Sequence, residues 1–219
     1  MPQPEFGLNN HLAPSPAWLQ ERNLTCSLVQ AYLASISFVD HCVGEILRGV
    51  EQGPNADNTV VILLSDHGFH LGEKQHWAKR TLWEETTRVP LVVAGPEIPA
   101  GLVSRSAVGL IDIYPTLCEL SDVPAPAGLE GKSLIPLWDG TSGDEDERFA
   151  LTSYRLNGVD HHSVRSRDWR FIRYADGQEE LYDHRSDPQE WKNLAVDPHH
   201  DVILRRHREV LATLTQETK

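Results

Sequence analysis

The chain has 219 residues, a formal net charge of −12 and 40% hydrophobic residues, which is ordinary for a globular protein. A chain of this length can bury a sizeable core, and its acidity argues against a nucleic-acid partner. No apolar run approaches the roughly 20 residues of a membrane span, so we predict no membrane partner.

Targeting and redox signals are weak. Residues 1–5 have neither the basic start nor the apolar core of a secretory signal, and the compartment of the protein stays open. The three cysteines are widely spaced and form neither a disulfide framework nor a zinc-binding pattern. We therefore expect them to pack as small buried groups.

The first regular element predicted is a long amphipathic helix. Residues 1–21 are rich in proline and indicate irregular coil. A helix is predicted from Asn23, a candidate N-cap, to about Val50, because apolar residues recur there every three or four positions. The residues of this stripe are Leu24, Leu28, Tyr32, Ile36, Val39, Val43, Ile46 and Val50.

Two short apolar runs follow. Residues 59–64 predict a strand buried on both faces, as in a parallel sheet, and residues 89–94 predict a second buried strand. Residues 68–88 have no clean period and predict a loop. Ligands of open parallel sheets bind just beyond the carboxyl ends of the strands, which is where Asp66 and His67 fall.

The C-terminal part of the chain predicts a different architecture. Asp112 is a candidate cap for a short helix, and residues 123–131 and 139–148 indicate a loop and a domain boundary, giving domains 1–148 and 149–219. From residue 150, short strands with turn signals predict a small antiparallel sheet closed by a helix. We expect Trp169, Phe171, Tyr174, Tyr182 and Trp191 in its core and the pairs at 161–162 and 199–200 on the surface.

Asp66, His67 and Lys79 carry the strongest chemical signal. A carboxylate beside an imidazole can bind a cation, and a nearby lysine adds positive charge, so the target should be an anion held against a metal. An isolated Asp-His pair is more often a turn carboxylate beside a surface histidine, and a loop lysine is usually solvated. The position after a buried strand favours the functional interpretation.

Residues 65–79, SDHGFHLGEKQHWAK, followed by TRVPL at 87–91, resemble the type I sulfatases of the alkaline phosphatase superfamily. The resemblance is strongest to the iduronate-2-sulfatase and choline-sulfatase-like branch. It continues in the family's order at 31–40, 112–117, 131–137, 180–183, 187–190 and 193–195. It implies an α/β fold: part of an alkaline-phosphatase-like three-layer sandwich with a small C-terminal α+β subdomain.

The resemblance also implies roles for residues. Asp66 and His67 would bind one divalent ion, calcium in the family, and Lys79 would be the catalytic contact to a sulfate oxygen. An imidazole is a softer donor than calcium prefers, which leaves the identity of the ion open. The substrate would be a sulfate ester, with a sulfated carbohydrate as one candidate. Candidate substrate-binding residues, each of which could instead be a surface loop residue, are His70, His76, Glu84 and Arg88.

Some parts of the family pattern have no counterpart. The family's formylglycine nucleophile comes from a Cys/Ser-x-Pro-x-Arg motif, which the 219 residues do not contain. We therefore expect a chain that corresponds to the C-terminal half of a sulfatase, needs the N-terminal half as its partner and is inactive alone. Two alternatives stay open: a phosphoesterase of the same superfamily, with two zinc-type ions and more histidine ligands, and a non-catalytic fragment.

Overall fold

The computed structural model of the chain describes residues 14–138 and 147–216. Their internal contacts define two compact units. The first unit comprises residues 14–81 and 88–98, and the second comprises residues 82–87, 99–138 and 147–216. The predicted boundary at 148/149 stays a prediction, and most of the segment 139–148 lies outside the described residues.

The first unit begins with two helices, α1 (Pro16–Glu21) and α2 (Thr25–Glu51). Ser15 caps α1, because its Oγ accepts a hydrogen bond from the Trp18 N–H at 3.2 Å. The predicted long helix is confirmed within about two residues at either end, which is the usual uncertainty of helix limits. Asn23 is not its cap: Asn23 is left-handed (φ 52°) and Leu24 holds the N-cap position without a side-chain bond.

Helix α2 has an apolar stripe that the described residues cover only in part. None of its residues is buried, and Val39 and Ile46 of the stripe are 57% and 66% exposed. By length and composition the helix could cross a membrane, and the expectation of no membrane partner stays a prediction. That is weak evidence for a span, because the core helix of a soluble protein has the same length and composition. The stripe is typical of a helix that packs against a sheet or another helix.

The two predicted strands are confirmed in position and are shorter than expected: β1 (Val61–Leu64) and β4 (Leu91–Ala94). They pair directly and antiparallel, with Val61 opposite Ala94 and Leu64 opposite Leu91. The prediction of a parallel strand buried on both faces is therefore wrong for the described residues. Leu63 and Val92 remain 42% and 54% exposed, since two strands alone leave their faces uncovered.

The predicted loop after β1 contains a short hairpin. Strands β2 (His70–Leu71) and β3 (Trp77–Ala78) pair antiparallel, with His70 opposite Ala78. Lys74 and Gln75 in the connecting turn are left-handed, with φ of 52° and 58°. Gly72, which opens the turn, is also left-handed (φ 117°), but non-glycine residues rarely adopt this conformation, so Lys74 and Gln75 gave no turn signal.

The second unit is built on the predicted antiparallel sheet. Its strands, in spatial order, are β5 (Ala150–Leu156), β6 (Val159–Arg165), β7 (Trp169–Arg173) and β8 (Glu179–Asp183). Residues of the sheet, of the closing helix and of the segment between them share one core: Val164, Trp169, Phe171, Leu181, Leu194, Leu204 and Leu211. Two burial predictions are wrong: Trp191 is 61% exposed and His161 only 7%.

Three helices complete the second unit: α3 (Glu84–Thr87), α4 (Ile113–Leu120) and the closing helix α5 (Asp201–Gln216). Asp112 precedes α4 as predicted but does not cap it. Its carboxylate accepts hydrogen bonds from the backbone N–H groups of Gly109 (2.9 Å) and Lys132 (2.8 Å). Of the cysteines, Cys118 in α4 is buried as expected, whereas Cys26 is exposed.

We predict that the chain self-associates, because the exposed stripe of α2 and the open β1–β4 pair favour contacts with other chains. Replacing both Val39 and Ile46 by lysine should lower the mass measured by sedimentation velocity. Val202→Lys is the matched control, since Val202 is 73% exposed on α5, and it should leave the mass unchanged. An unmodified chain that sediments as a monomer would contradict this prediction.

Candidate active site and a buried ion-pair network

The acid–imidazole pair follows the end of β1 directly. Asp66 Oδ2 lies 3.7 Å from His67 Nε2, and the Asp66 side chain is 83% exposed. His67 Nδ1 lies 2.8 Å from the Gly68 carbonyl oxygen. Because a carbonyl oxygen can only accept, we assign the imidazole proton to Nδ1. Nε2 therefore presents a lone pair on the side of Asp66.

The hairpin brings Lys79 to the same place. Lys79 Nζ lies 2.6 Å from His67 Nε2 and donates to its lone pair. The three side chains predicted for the metal and sulfate site thus meet within one unit. The ammonium thus contacts the same imidazole nitrogen that lies 3.7 Å from the carboxylate.

Asp66 and His67 fit part of the shell of one divalent ion. An oxygen and a nitrogen 3.7 Å apart can touch the same ion, since such ligands lie about 2.0–2.6 Å from it. Two donors fall short of the roughly six to eight oxygens that calcium takes. The identity of the ion therefore stays a prediction.

The backbone around Lys79 is strained. Ala78 and Arg80 on either side of it have φ of 68° and 81°, the left-handed region that residues other than glycine seldom adopt. Each such residue costs about 1–3 kcal/mol and persists only where its surroundings hold it. One contact that can fix this stretch is the hydrogen bond between Thr81 Oγ1 and His70 Nε2, which lie 2.8 Å apart.

His70 and His76 lie inside the hairpin. Their side chains are 0% and 4% exposed, and the two rings meet edge to face with centroids 5.2 Å apart. Burial lowers the pKa of both imidazoles, and the neighbouring His76 and Lys74 bring that of His70 to about 3. Both rings are therefore neutral at neutral pH, and their predicted contact with substrate stays a prediction.

Glu84 belongs to the second unit, within a buried cluster of charges that we call the Arg170 network. Its members are Glu84, Arg165, Arg170, His184 and Glu190. Arg170 is 2% exposed; it donates to the carboxylate of Glu84 and, at 2.6 Å, to that of Glu190. Arg165 reaches Glu84 at 3.2 Å, and His184 lies 2.9 Å from Glu190.

Electrostatics in the Arg170 network favour the ionised form of Glu84. Burial by itself would raise the pKa of this carboxyl group. The charges of Arg170 and Arg165, with a smaller effect of His184, outweigh burial and hold the pKa at about 2. The predicted substrate contact of Glu84 stays a prediction, as does that of Arg88, which is exposed.

The same network contains a possible metal-binding group. Glu84, His184 and Glu190 each offer one ligand atom, and these atoms lie within 4.8 Å of one another. Arg170 already bonds both carboxylates, so an ion would have to displace a guanidinium that is itself almost fully buried. A displaced buried cation would lose its partners at a cost of several kcal/mol. The arrangement of Glu84, His184 and Glu190 is therefore better suited to binding the buried Arg170 side chain than to binding a metal ion.

Comparison with known families identifies the chain. A model described as Sulfatase matches residues 7–123, and one described as N-sulphoglucosamine sulphohydrolase, C-terminal, matches residues 72–217. The chain belongs to the sulfatase family. The expected membership in the alkaline phosphatase superfamily is thereby confirmed, while the branch within it stays a prediction.

Curated sulfatases extend well beyond the segment matched. A "Sulfatase" of Formosa agariphila is 43% identical over 184 residues, which are 84% of this chain and 36% of that protein. The choline-sulfatase of Rhizobium meliloti is 34% identical, over 77% of this chain and 33% of that protein. The chain thus spans about a third of the length of these relatives.

Solved structures show the same relation. BT4656, determined in complex with its substrate D-glucosamine-2-N,6-O-disulfate, is 28% identical with a TM-score of 0.73, over 85% of this chain and 40% of that one. The phosphonate monoester hydrolase of Agrobacterium radiobacter is 25% identical with a TM-score of 0.71, over 83% and 40%. The chain has a mixed α/β architecture consistent with part of a sulfatase fold.

Sequence reasoning missed the roles of Arg170, Glu190 and Glu180, the last of which accepts a hydrogen bond from Trp83 Nε1 at 2.7 Å. Arg170 interrupts an otherwise apolar strand, 169–174 (WRFIRY), and a charge in such a strand is a signal for a buried ion pair. Its partners could not be deduced, since Glu84 lies 86 positions away along the chain.

We predict that Arg170→Met lowers the free energy of unfolding by about 3–5 kcal/mol, because it removes the buried cation that two buried carboxylates both bond. Urea denaturation measures the change. Arg155→Met is the matched control: Arg155 pairs with Asp160 at 2.7 Å on the same sheet, but its side chain is 69% exposed, and we expect little effect. Equal losses in the two variants would contradict the buried role of Arg170.

We predict that stability falls as the pH drops below about 6.5, the ordinary pKa of histidine in an unfolded chain. Burial lowers the folded-state pKa of His70, His76 and His207, so below pH 6.5 the unfolded chain binds more protons than the folded one. Each group can remove up to about 1.4 kcal/mol per pH unit until the pH reaches its folded pKa.

Urea titrations at about pH 7.5 and about pH 5 measure this loss. His70→Gln should make it smaller, because the group that protonates on unfolding is gone. An unchanged loss in His70→Gln would show that His70 is not buried as a neutral imidazole.

Proposed function

We propose that the chain forms part of the active site of a sulfuric ester hydrolase. In this proposal Lys79 contacts a sulfate oxygen, and Asp66 and His67 bind one divalent ion. The observation that supports this proposal most directly is that the three side chains come together after β1. Lys79 Nζ lies 2.6 Å, and Asp66 Oδ2 3.7 Å, from His67 Nε2.

Each group has a distinct role. The Lys79 ammonium can offset negative charge that develops on the ester as the S–O bond breaks. Asp66 contributes a negative charge and His67 a neutral lone pair, and a divalent ion held by them would polarise the sulfate. Lys79 has to leave Nε2 before an ion binds there, which its exposed and flexible side chain permits.

The nucleophile must come from outside these 219 residues, because they contain no Cys/Ser-x-Pro-x-Arg motif. We therefore propose that the chain alone binds a sulfate ester without hydrolysing it. The order Asp66–His67 and the likeness to a choline-sulfatase support the iduronate-2-sulfatase and choline-sulfatase-like branch. We propose calcium as the ion, on the family resemblance and the Asp66 oxygens.

The substrate class rests on weaker support. The complex of BT4656 with a sulfated glucosamine supports a sulfated carbohydrate. Of the four residues proposed for substrate contact, exposed Arg88 is the best placed to touch a ligand. Buried His70 and His76, in the same unit, are better suited to shaping the site than to touching the substrate.

A phosphoesterase is the second candidate. The likeness to a phosphonate monoester hydrolase favours it, because a phosphonate monoester presents charged oxygens on a tetrahedral centre, as a sulfate ester does. The Asp66–His67 pair offers fewer ligands than the two zinc-type ions of that class would need, which favours sulfate.

We predict that the chain, titrated with 4-nitrophenyl sulfate in the presence of calcium, binds this ester more tightly than a phenylphosphonate monoester and releases no 4-nitrophenol. Lys79→Met should raise the dissociation constant about tenfold or more, since it removes a charge-assisted contact. Lys192→Met is the control, because Lys192 is also exposed, and should change nothing.

Tighter binding of the phosphonate would favour the second candidate. Binding that Lys79→Met leaves intact, or no binding by the unmodified chain, would overturn the proposed sulfate site. Release of 4-nitrophenol by the unmodified chain but not by Lys79→Met would refute the expected inactivity.

A further inference from the structure

The backbone and the side chain of His70 contact the chain on both sides of Lys79. In the hairpin of β2 and β3, His70 is paired with Ala78, the residue directly before Lys79. Its ring contacts the chain after Lys79, because His70 Nε2 and Thr81 Oγ1 share a hydrogen bond at 2.8 Å. All four residues belong to the first unit. Both ends of the short segment that carries Lys79 are therefore attached to one residue of β2.

The hydrogen bond is shielded from water, whereas the lysine is not. His70 and Thr81 are 0% and 6% exposed, and Trp77 in β3 is 4% exposed. Lys79 and Arg80 are exposed. Water does not readily replace a hydrogen-bond partner lost in a buried place, so the loss of either partner should be felt locally. The direction in which Lys79 leaves the hairpin thus depends on the buried contacts at the ends of the segment.

The backbone of this segment needs such contacts. Ala78 and Arg80 have φ of 68° and 81°, on either side of Lys79. A strained conformation persists only where its surroundings fix it, and otherwise the chain returns to ordinary φ values. Such a return would turn the Lys79 side chain away from its present direction. The bond between His70 and Thr81 opposes it, since it holds the chain directly after Arg80.

The segment that contains His70 is held in place and also carries the imidazole that Lys79 contacts. Phe69, directly before His70, stacks on Tyr32 of α2, with ring centroids 5.0 Å apart. His67, whose Nε2 lies 2.6 Å from Lys79 Nζ, is three positions before His70. The same short segment thus presents one imidazole to the lysine and holds the turn that presents the lysine.

We infer that His70 is a positioning residue for Lys79, acting through its hydrogen bond to Thr81. In this role His70 does not touch the substrate. It keeps the strained turn in the shape that directs the ammonium toward the candidate sulfate site. The inference rests on the proposed role of Lys79 in contacting sulfate. It requires that His70 and Thr81 act as one unit, which a separate contact of His70 with the ester does not require.

His70→Phe, Thr81→Val and the double variant test the inference in the full chain. Phenylalanine keeps a flat ring without the nitrogen, and valine keeps the shape of threonine without the hydroxyl. Thr81→Ser restores the hydroxyl. Thr59→Val is the matched control, because the Thr59 hydroxyl also donates a hydrogen bond in the first unit, at 2.7 Å to the Asn55 carbonyl oxygen.

Two measurements report on the variants: amide hydrogen exchange of residues 77–81 and titration with 4-nitrophenyl sulfate. His70→Phe and Thr81→Val should each speed this exchange at least about tenfold, while β1 keeps its protection within about twofold. Each should weaken binding of the ester about tenfold. The double variant should be no worse than His70→Phe within about twofold, because both changes remove the same bond. Thr81→Ser and Thr59→Val should match the unmodified chain.

Multiplying effects in the double variant would overturn the inference, as would unchanged exchange at 77–81 in Thr81→Val. Faster exchange spread evenly over 77–81 and β1 would also overturn it, because it indicates general destabilisation. Weaker binding in His70→Phe with normal binding in Thr81→Val would make His70 a direct contact of the ester instead. If His70→Phe does not fold, Thr81→Val and Thr81→Ser still decide.

The proposed function fails separately, when Lys79→Met leaves ester binding unaltered or the unmodified chain does not bind the ester. Hydrogen exchange at 77–81 does not depend on the ester. Exchange that Thr81→Val leaves unchanged would then still refute a hold of His70 on the lysine turn, and exchange that it speeds locally would support one.

Discussion

The second unit depends on one guanidinium held between two carboxylates. Arg170, Glu84 and Glu190 are almost completely withdrawn from water, and each charge is tolerable there only because the opposite charge is within hydrogen-bond distance. The three come from a helix start, a strand and a loop that are remote in sequence. Satisfying them together therefore fixes where these three segments meet, with a directionality that apolar contacts alone do not provide.

The two units differ in how completely their helices and strands are packed against neighbouring residues. The second has a closed core in which the strands, the closing helix and the segment between them share seven buried apolar residues. The first has a 27-residue helix without a buried residue and two two-stranded sheets. A strand pair and an amphipathic helix usually draw their stability from neighbours, which the described residues do not supply here. This contrast agrees with a chain that spans about a third of the length of its curated relatives.

Local periodicity accounts for what the sequence could predict. The long helix, β1, β4 and the four-stranded sheet all follow from the spacing of apolar residues and from turn signals. The pairing of β1 with β4 could not be read in this way, because pairing depends on segments distant in the chain. The hairpin β2–β3 was missed because, after Gly72, its turn also uses left-handed Lys74 and Gln75, where glycine or asparagine would be expected.

The candidate site, too, could be predicted only in part from the sequence. Motif order was enough to select Asp66, His67 and Lys79, which the structure brings together. It could not supply the proton position on His67, which depends on the Gly68 carbonyl. Nor could it show that Glu84 has buried partners 81 and 86 positions away, because ion pairing across such distances leaves no local pattern.

The placement of residues 82–87 in the second unit has a consequence for modularity. The chain enters that unit at Leu82, leaves it after Thr87 and returns at Pro99, so the C-terminal sheet is not a separable appendage of the sequence before it. Recombination between family members at a single point near residue 148 would combine one protein's Leu82, Trp83 and Glu84 with another's Arg170, Glu180 and Glu190. Because these side chains must match in charge and length, the two stretches are expected to be inherited as a pair.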